Sequence, residues 1–410
     1  MRVFLITNGS AGDVVPFAQI GLELMSRGHD VTLFGFAEYG PLIPRTVQFR
    51  DISNNASTEL RLRDRRLLAT RYHDLYLLRH DVTWNAVLYN VIKKELSTNL
   101  LLVTANRPNC WADLFAHVQL DIPVVRVNID LPAPLHWPLR PIQLPPGRLQ
   151  HRLAGGWQHS WDCTMRSAGL NVGFHHLARI IRSIARTIPT IALWPDWICG
   201  GYGRAHGMRT LGFVLPRAQK TGGEVNANKD SQPALVFVAG TLGTTSTWTN
   251  GFAKVSAGIC RDMGYPGILL GGEEPLAAPY LCDRFTWRSF APIGAILSNA
   301  AVIVHHGGIG TAALALRSRV PQLMIPRVFA QPFTAEWFRR QGLCAVLEPQ
   351  SYTIQGGAAA LRSLLDRPRS GQQDLFAEMN SEASAEQLVQ FLETLPRPSI
   401  RALQQLKASL

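Results

Sequence analysis

No two cysteines of the chain stand close enough to form a CxxC pair. The six, Cys110, Cys163, Cys199, Cys260, Cys282 and Cys344, are scattered singly over 410 residues. That excludes a zinc site on paired thiols and a disulfide frame, and it predicts reduced thiols in a cytoplasm. Asp-x-Asp is also missing, the carboxylate pair with which a fold normally holds a nucleotide-sugar diphosphate through a metal. No apolar run approaches the roughly 18 residues that a membrane span needs. The opening Met1-Arg2-Val3-Phe4-Leu5-Ile6 meets a polar loop too early for a signal peptide and reads as a first core strand. No Gly-x-Gly-x-x-Gly follows that strand, which disfavours a dinucleotide dehydrogenase. Lysine is scarce: six against 35 arginines.

The arginines carry a net charge of +12. Such a balance attracts anionic substrates or an anionic membrane surface. Nucleic acid stays open on charge alone, but no nucleic-acid module is recognisable. The hydrophobic fraction of 46% suffices for two buried cores, and domains of about 100–200 residues predict two of them.

Apolar runs and turn signals alternate along both halves. The first half reads as strands at 3–7, 31–36, 100–104 and 124–128, with helices over 14–27, ended by Gly28, and near 111–119. An arginine-rich amphipathic stretch spans 59–84 and a proline-rich loop 130–149. The best linker is 216–233, polar and without apolar period. Alternation then restarts with strands at 234–238, 267–270, 301–304 and 322–325 and helices over 252–263 and 312–317. The tail, 384–410, reads as helix broken near Pro396 and Pro398. Strands alternating with helices predict two α/β halves with parallel, doubly wound sheets. The domain bounds expected are 1–215, linker 216–233, 234–385 and a helical tail, 386–410.

One turn stands out: His305-His306-Gly307-Gly308-Ile309-Gly310-Thr311, between a short apolar strand and a helix. Glycines there let backbone N–H groups approach an anion, and the helix N-terminus adds its positive end. A histidine leading the turn can donate to the same anion. Adjacent histidines do not share a face, so neither His305–His306 nor His175–His176 suits metal chelation. Gly240-Thr241 ends the first strand of the second half and can offer an amide and a hydroxyl to phosphate, although many strand ends carry such a turn. Phe290, in Phe290-Ala291-Pro292-Ile293, can stack on a nucleobase or simply fill the core. Asp13, in Asn8-Gly9-Ser10-Ala11-Gly12-Asp13, can act as a general base or merely cap a helix before Pro16. The 59–84 stretch is a solvated helical face or a surface that docks lipid headgroups or an acidic acceptor.

In order and spacing these motifs resemble the family-one glycosyltransferases of the GT-B fold. The resemblance runs over nearly the whole chain, from the Gly9–Val14 opening through Leu193-Trp194-Pro195-Asp196-Trp197, Gly240-Thr241 and Phe290–Leu297 to the His-x-Gly-Gly-x-Gly-Thr turn. It is nearest to the bacterial branch acting on lipids, sterols, macrolides and glycopeptides, rhamnolipid-type rhamnosyltransferases in particular. The resemblance implies two Rossmann-like domains facing a cleft, with the C-terminal helix crossing back to the first. It implies an inverting, metal-independent transfer from a UDP- or dTDP-sugar to a hydroxyl of an apolar small molecule or lipid, without a cofactor. The catalytic base would be Asp13. Gly240, Thr241, His305, Gly307, Gly308, Gly310 and Thr311 would hold the diphosphate. Phe290 and Ile293 would hold the base, and Gln331 the sugar. Ala330 stands where the family carries an acid for the sugar hydroxyls. That departure predicts an unusual donor, a compensating residue, or an inactive relative serving as an auxiliary subunit. A GT-B epimerase, needing no acceptor, is another reading. The expected location is cytoplasmic, with peripheral contact at the inner membrane face open; the oligomeric state is not legible.

Overall fold

The computed structural model describes residues 1–7, 9–52, 83–97, 99–105, 112–132, 187–216, 232–240, 246–271, 284–289, 291–327, 330–366 and 381–395. Two parallel sheets organise them. The first contains β1 (Arg2–Ile6), β2 (Asp30–Gly35), β3 (Gln48–Asp51), β4 (Leu100–Ala105), β5 (Val124–Asn128), β6 (Thr190–Ala192) and β7 (Arg209–Thr210), in the order β3-β2-β1-β4-β5-β6-β7. The second contains β8 (Ala234–Val238), β9 (Gly267–Leu270), β10 (Phe285–Arg288), β11 (Ala300–His305), β12 (Gln322–Met324) and β13 (Ala345–Val346), in the order β10-β9-β8-β11-β12-β13. All strand pairs are parallel. The central strands are continuous apolar runs such as Val3-Phe4-Leu5-Ile6 and Leu100-Leu101-Leu102-Val103, buried on both faces. That is what helices covering both sides of a parallel sheet require.

The helices are α1 (Ala11–Ser26), α2 (Thr83–Lys94), α3 (Ala112–Leu120), α4 (Tyr202–Ala205), α5 (Ser246–Met263), α6 (Ile293–Leu297), α7 (Ile309–Arg317), α8 (Gln331–Arg340), α9 (Ile354–Leu365) and α10 (Ser381–Thr394). Strand order reverses between β1 and β4 in one sheet and between β8 and β11 in the other. Crevices at the carboxyl ends of such switch points are where open α/β sheets bind ligands. The turns singled out from sequence follow β1, β8 and β11.

The long central strands lie where the sequence puts them, with ends shifted by a residue at most. The short strands β3, β6, β7, β10 and β13 have no counterpart in the sequence reading. The first helix begins three residues earlier than expected, at Ala11, because Ser10 caps it.

Among the described residues, the first domain buries a bidentate ion pair. Arg126 Nε and Nη2 donate to Asp113 Oδ2 and Oδ1, each at 3.0 Å, and Thr104 Oγ1 donates to Asp113 Oδ2 at 2.8 Å. It ties α3 to β4 and β5 inside the sheet packing.

The last described helix, α10, returns to the first domain and lies on α1. Leu388, Val389 and Leu392 are fully buried in the core that holds Val3–Ile6. Arg27 pairs with Glu386 and Glu393 at 3.4 and 3.3 Å, and Ser384 Oγ donates to the Leu211 carbonyl at 2.7 Å. Each buried Leu or Val contributes about 1.5–3 kcal/mol, whereas an exposed ion pair gives about 0–1 kcal/mol. Apolar burial therefore holds this crossing. The same core continues through Ile309, Ala312, Ala313 and Leu316 of α7 into Trp337 and Phe338 of α8, so the two domains share packing.

Residues 59–82, most of 130–149, His175, His176, 217–231 and the tail beyond 395 lie outside the described residues. Among the described residues no helix is long and apolar enough to cross a membrane.

Candidate functional site

The turn after β1 is built around Asp13. Ser10 is the N-cap of α1, with its Oγ accepting from Gly12 N at 3.3 Å. Asp13 is the third helical residue, and its Oδ2 accepts from Ser10 N at 2.7 Å and Ser10 Oγ at 3.3 Å. The pair forms a capping box, so Asp13 completes the cap that Ser10 begins and is not the N-cap itself. Its side chain is buried. A Cβ on Gly9 would fall inside the Asp13 carboxylate, so the loop passes over that carboxylate with nothing but backbone.

The second domain assembles three strand ends. Gly240 closes β8 with φ +86°, and a Cβ there would stand 2.8 Å from Nδ1 of His306. A Cβ on Gly308 would meet the other edge of the same ring, 2.5 Å from Nε2. The His306 imidazole is thus seated between two glycines, one from each strand flanking the switch point. Its Nδ1 is buried and makes no hydrogen bond of acceptable geometry. Burial pushes the ring down to about 4; the Val238 carbonyl offsets part of that, and the Arg327 guanidinium adds to it. Gly308 is the N-cap of α7 and contributes no side-chain bond. The amides of Ile309, Gly310 and Thr311 open the helix, where α-helical geometry supplies no acceptor.

His305 behaves differently from the expectation placed on it. It is the last residue of β11 and is fully buried. Its Nδ1 accepts from Gly307 N at 3.2 Å and its Nε2 bonds Gln322 Oε1 at 3.0 Å. Burial lowers its pKa to about 3, with His306 pushing the same way and Gln322 opposing. Both ring nitrogens are spent inside the protein, so this side chain has no donor to offer an anion. His306, the next residue, lies beyond the sheet, while His305 alternates with Ile303 into it. Strand periodicity carried one step further marks that difference in the sequence.

Gly307 has φ +81°, and a Cβ on it would approach the Gln331 carbonyl to 3.2 Å, so the turn rests on the start of α8. Gln331 is the first residue of that helix, with Ala330 as its N-cap making no side-chain bond. Gln331 Oε1, on the side chain expected to hold the sugar, accepts from Arg327 N at 3.0 Å and so bonds the loop that precedes its helix. Ile293 begins α6 and packs with Val238, Leu270 and Ile303 under the same strand ends. Thr241 and Phe290 lie outside the described residues.

Helix α1 touches α7 across the domain boundary. The helix that starts at the Asp13 turn therefore adjoins the helix that starts at Gly308. A second link joins Trp337 Nε1 of α8 to the Pro132 carbonyl at 2.8 Å. Pro132 also borders a cavity of about 190 Å³ at the ends of β4 and β5, lined by Asn128, Asp130, Trp194, Tyr202 and Met208 among others.

A family model, described as the C-terminal domain of erythromycin biosynthesis protein CIII-like proteins, matches residues 281–395. The chain is 28% identical over 148 residues to the erythronolide mycarosyltransferase of Saccharopolyspora erythraea, covering 36% of this chain and 35% of that protein. It is 23% identical over 390 residues to the glycosyltransferase GtfE of Amycolatopsis orientalis, covering 89% and 90%. The chain thus spans about a third of the length of the first relative (35%) and nearly all of the second (90%). Among solved structures, the glycotransferase of kitacinnamycin superposes with a TM-score of 0.71 at 16% identity, covering 98% of this chain and 99% of that one. The spinosyn rhamnosyltransferase SpnG, complexed with thymidine diphosphate, gives 0.65 at 16% identity over 96% and 100%. Residues 281–395 thus match that C-terminal domain, and the fold of the chain is the GT-B fold of the solved glycosyltransferases. The GT-B architecture expected from sequence, including the return of the C-terminal helix, is present, and the family model covers the segment that carries His306, Gly308 and Gln331.

Proposed function

We propose that this GT-B protein transfers a sugar from a nucleoside-diphosphate sugar to a hydroxyl of an apolar natural product, with inversion at the anomeric carbon. The observation that carries the reading is the His306 ring held between Gly240 and Gly308 at the open N-terminus of α7. A glycine-walled imidazole beside free helix amides suits a diphosphate. As the sugar leaves, negative charge grows on the nucleotide. Amides of Gly308, Ile309, Gly310 and Thr311 and the His306 ring are preorganised to receive it, and no metal is invoked.

Asp13 is the general base in this reading. It would take the acceptor hydroxyl proton as oxygen attacks from the face opposite the departing diphosphate. Its bonds to Ser10 hold the carboxylate in a fixed orientation. Residues up to 215 would bind acceptor, with the cavity beside Asn128 and Trp194 as part of its pocket. Residues 234–385 would bind donor, through Gly240, Thr241, Phe290, Ile293, His306, Gly308, Gly310 and Thr311. Several solved structures of the same fold were determined with thymidine diphosphate, which supports dTDP beside UDP as the nucleotide.

Ala330 shapes the donor choice. Losing the family's acid removes a charge-assisted bond worth about 1.5–3 kcal/mol to a sugar hydroxyl. A deoxysugar lacking that hydroxyl would lose nothing. The same residue favours the second reading, a relative that binds nucleotide without turnover.

The deciding experiment measures nucleotide release from a panel of UDP- and dTDP-sugars, deoxysugars included, with apolar hydroxylated acceptors. Turnover abolished by Asp13→Asn supports transfer. Nucleotide binding without turnover on any donor supports the auxiliary reading. Sugar conversion without acceptor would mark an epimerase.

A further inference from the structure

The glycine turn is set from behind. His305 ends β11, and its ring reaches diagonally to Gln322, the register partner of Ile303 on the neighbouring β12. Gly307 N–H points at His305 Nδ1, and an amide N–H can only donate. Nδ1 is therefore a bare acceptor, and in the neutral ring the proton sits on Nε2. Nε2–H in turn needs an acceptor, which is Gln322 Oε1 at 3.0 Å. The reverse amide orientation would place NH₂ against Nε2–H, so the Gly307 contact fixes the Gln322 amide as well. The Gln322 Nε2 left over is buried with no hydrogen-bond partner. An apolar residue would avoid that orphan, so what the position retains is the carbonyl.

We propose that Gln322 and His305 form a positioning relay for the anion-binding turn: the Gln322 carbonyl keeps the His305 proton on Nε2, and the bare Nδ1 anchors the Gly307 amide. Gly307 then holds φ +81° against the Gln331 carbonyl. The chain leaves the sheet in one direction, His306 is delivered between Gly240 and Gly308, and the α7 amides start where the ligand binds. Neither His305 nor Gln322 touches the ligand. This rests on the diphosphate reading for its consequence, but not for the anchoring itself.

The side-chain geometry supplies a separable test. The Oδ1 of asparagine occupies nearly the place of histidine Nδ1, so His305→Asn keeps an acceptor for Gly307 N–H while losing all contact with Gln322. His305→Leu keeps neither. Amide hydrogen exchange across 305–311, without ligand, reads the anchor directly. Wild type and His305→Asn should protect the Gly307 amide; His305→Leu and Gln322→Leu should not. Titration with dTDP and UDP reads the consequence. Loss of one anchoring hydrogen bond should weaken nucleotide binding by about tenfold in Gln322→Leu. In the His305→Asn background the same Gln322→Leu change should cost nothing, because Gln322 acts only through the His305 proton. An equal penalty in both backgrounds, or a Gly307 amide as open in His305→Asn as in His305→Leu, overturns the relay. Protection as predicted in a protein that binds neither nucleotide leaves the relay standing and removes the diphosphate reading instead.

Discussion

Gly9 lies directly over the Asp13 carboxylate, where a single added methyl would overlap it. The same carboxylate oxygen, Oδ2, accepts from the Ser10 amide and hydroxyl. Gly9→Ala should therefore displace the carboxylate or the loop and lower turnover by about tenfold or more, since small misplacement of a reacting group costs that much. Nucleotide binding should be unchanged, because the change is confined to the first domain. Steady-state kinetics beside a calorimetric dTDP titration checks both halves.

The Ser10 cap separates the stability role of this turn from its chemical one. Ser10→Ala removes the acceptor for Gly12 N and should cost about 1 kcal/mol of stability. If Asp13 also acts on substrate, Asp13→Asn should abolish turnover at a smaller stability cost than its activity loss implies. Urea denaturation and turnover, measured on the same two variants, give the comparison.

Gly240→Ala should damage the donor side twice. It forces a side chain onto φ +86°, costing about 1–2 kcal/mol, and it strikes the His306 ring. The nucleotide dissociation constant should rise at least as much as in His306→Ala, and melting temperature should fall in Gly240→Ala alone. Equal melting temperatures would remove the close approach of ring and backbone.

Acid should destabilise the fold through its paired histidines. Burial holds His305 near 3 and His306 near 4, against about 6.5 in the unfolded chain. Between those values the unfolded chain binds the protons and the folded one does not. Their stabilisation is complete above about pH 6.5 and is lost as pH falls, at about 1.4 kcal/mol per pH unit for each ring. Urea midpoints at pH 6.5, 5.5 and 4.5 should fall more steeply in wild type than in His305→Asn. Parallel slopes would show that the ring titrates normally in the fold.

The buried Asp113–Arg126 pair predicts an asymmetry. Breaking it by Arg126→Met should cost about 3–5 kcal/mol, because Asp113 keeps a buried charge, whereas replacing both partners by apolar residues should cost much less. Chemical denaturation of the single and double variants tests this.

Much of the architecture is legible in the sequence because central parallel strands are apolar throughout. Val3–Ile6, Leu100–Val103 and Ala234–Val238 declare themselves in that way. Edge strands do not: Gln48-Phe49-Arg50-Asp51 is polar at three of four positions, and Arg209-Thr210 and Ala345-Val346 are too short for any period to show. The start of α1 is not legible in the sequence, because Asp13 and Ser10 are both good capping residues and only their mutual bonds decide which one caps. The glycines mark the 305–311 turn in the sequence, but not that both ring nitrogens of His305 are bonded inside the protein. Motif spacing cannot tell a ring that ends a strand from one that follows it; the pairing of His305 with Gln322 does. The roles of Thr241 and Phe290 stand on family resemblance.

The return of α10 to the first domain means that the chain crosses between the domains twice. Any opening or closing of the two halves must bend both crossings at once, which favours a rotation about the line joining them over free swivelling. It also leaves the apolar flank of α1 uncovered until residues 381–394 have emerged from the ribosome, so the first domain is finished only after the second has been synthesised.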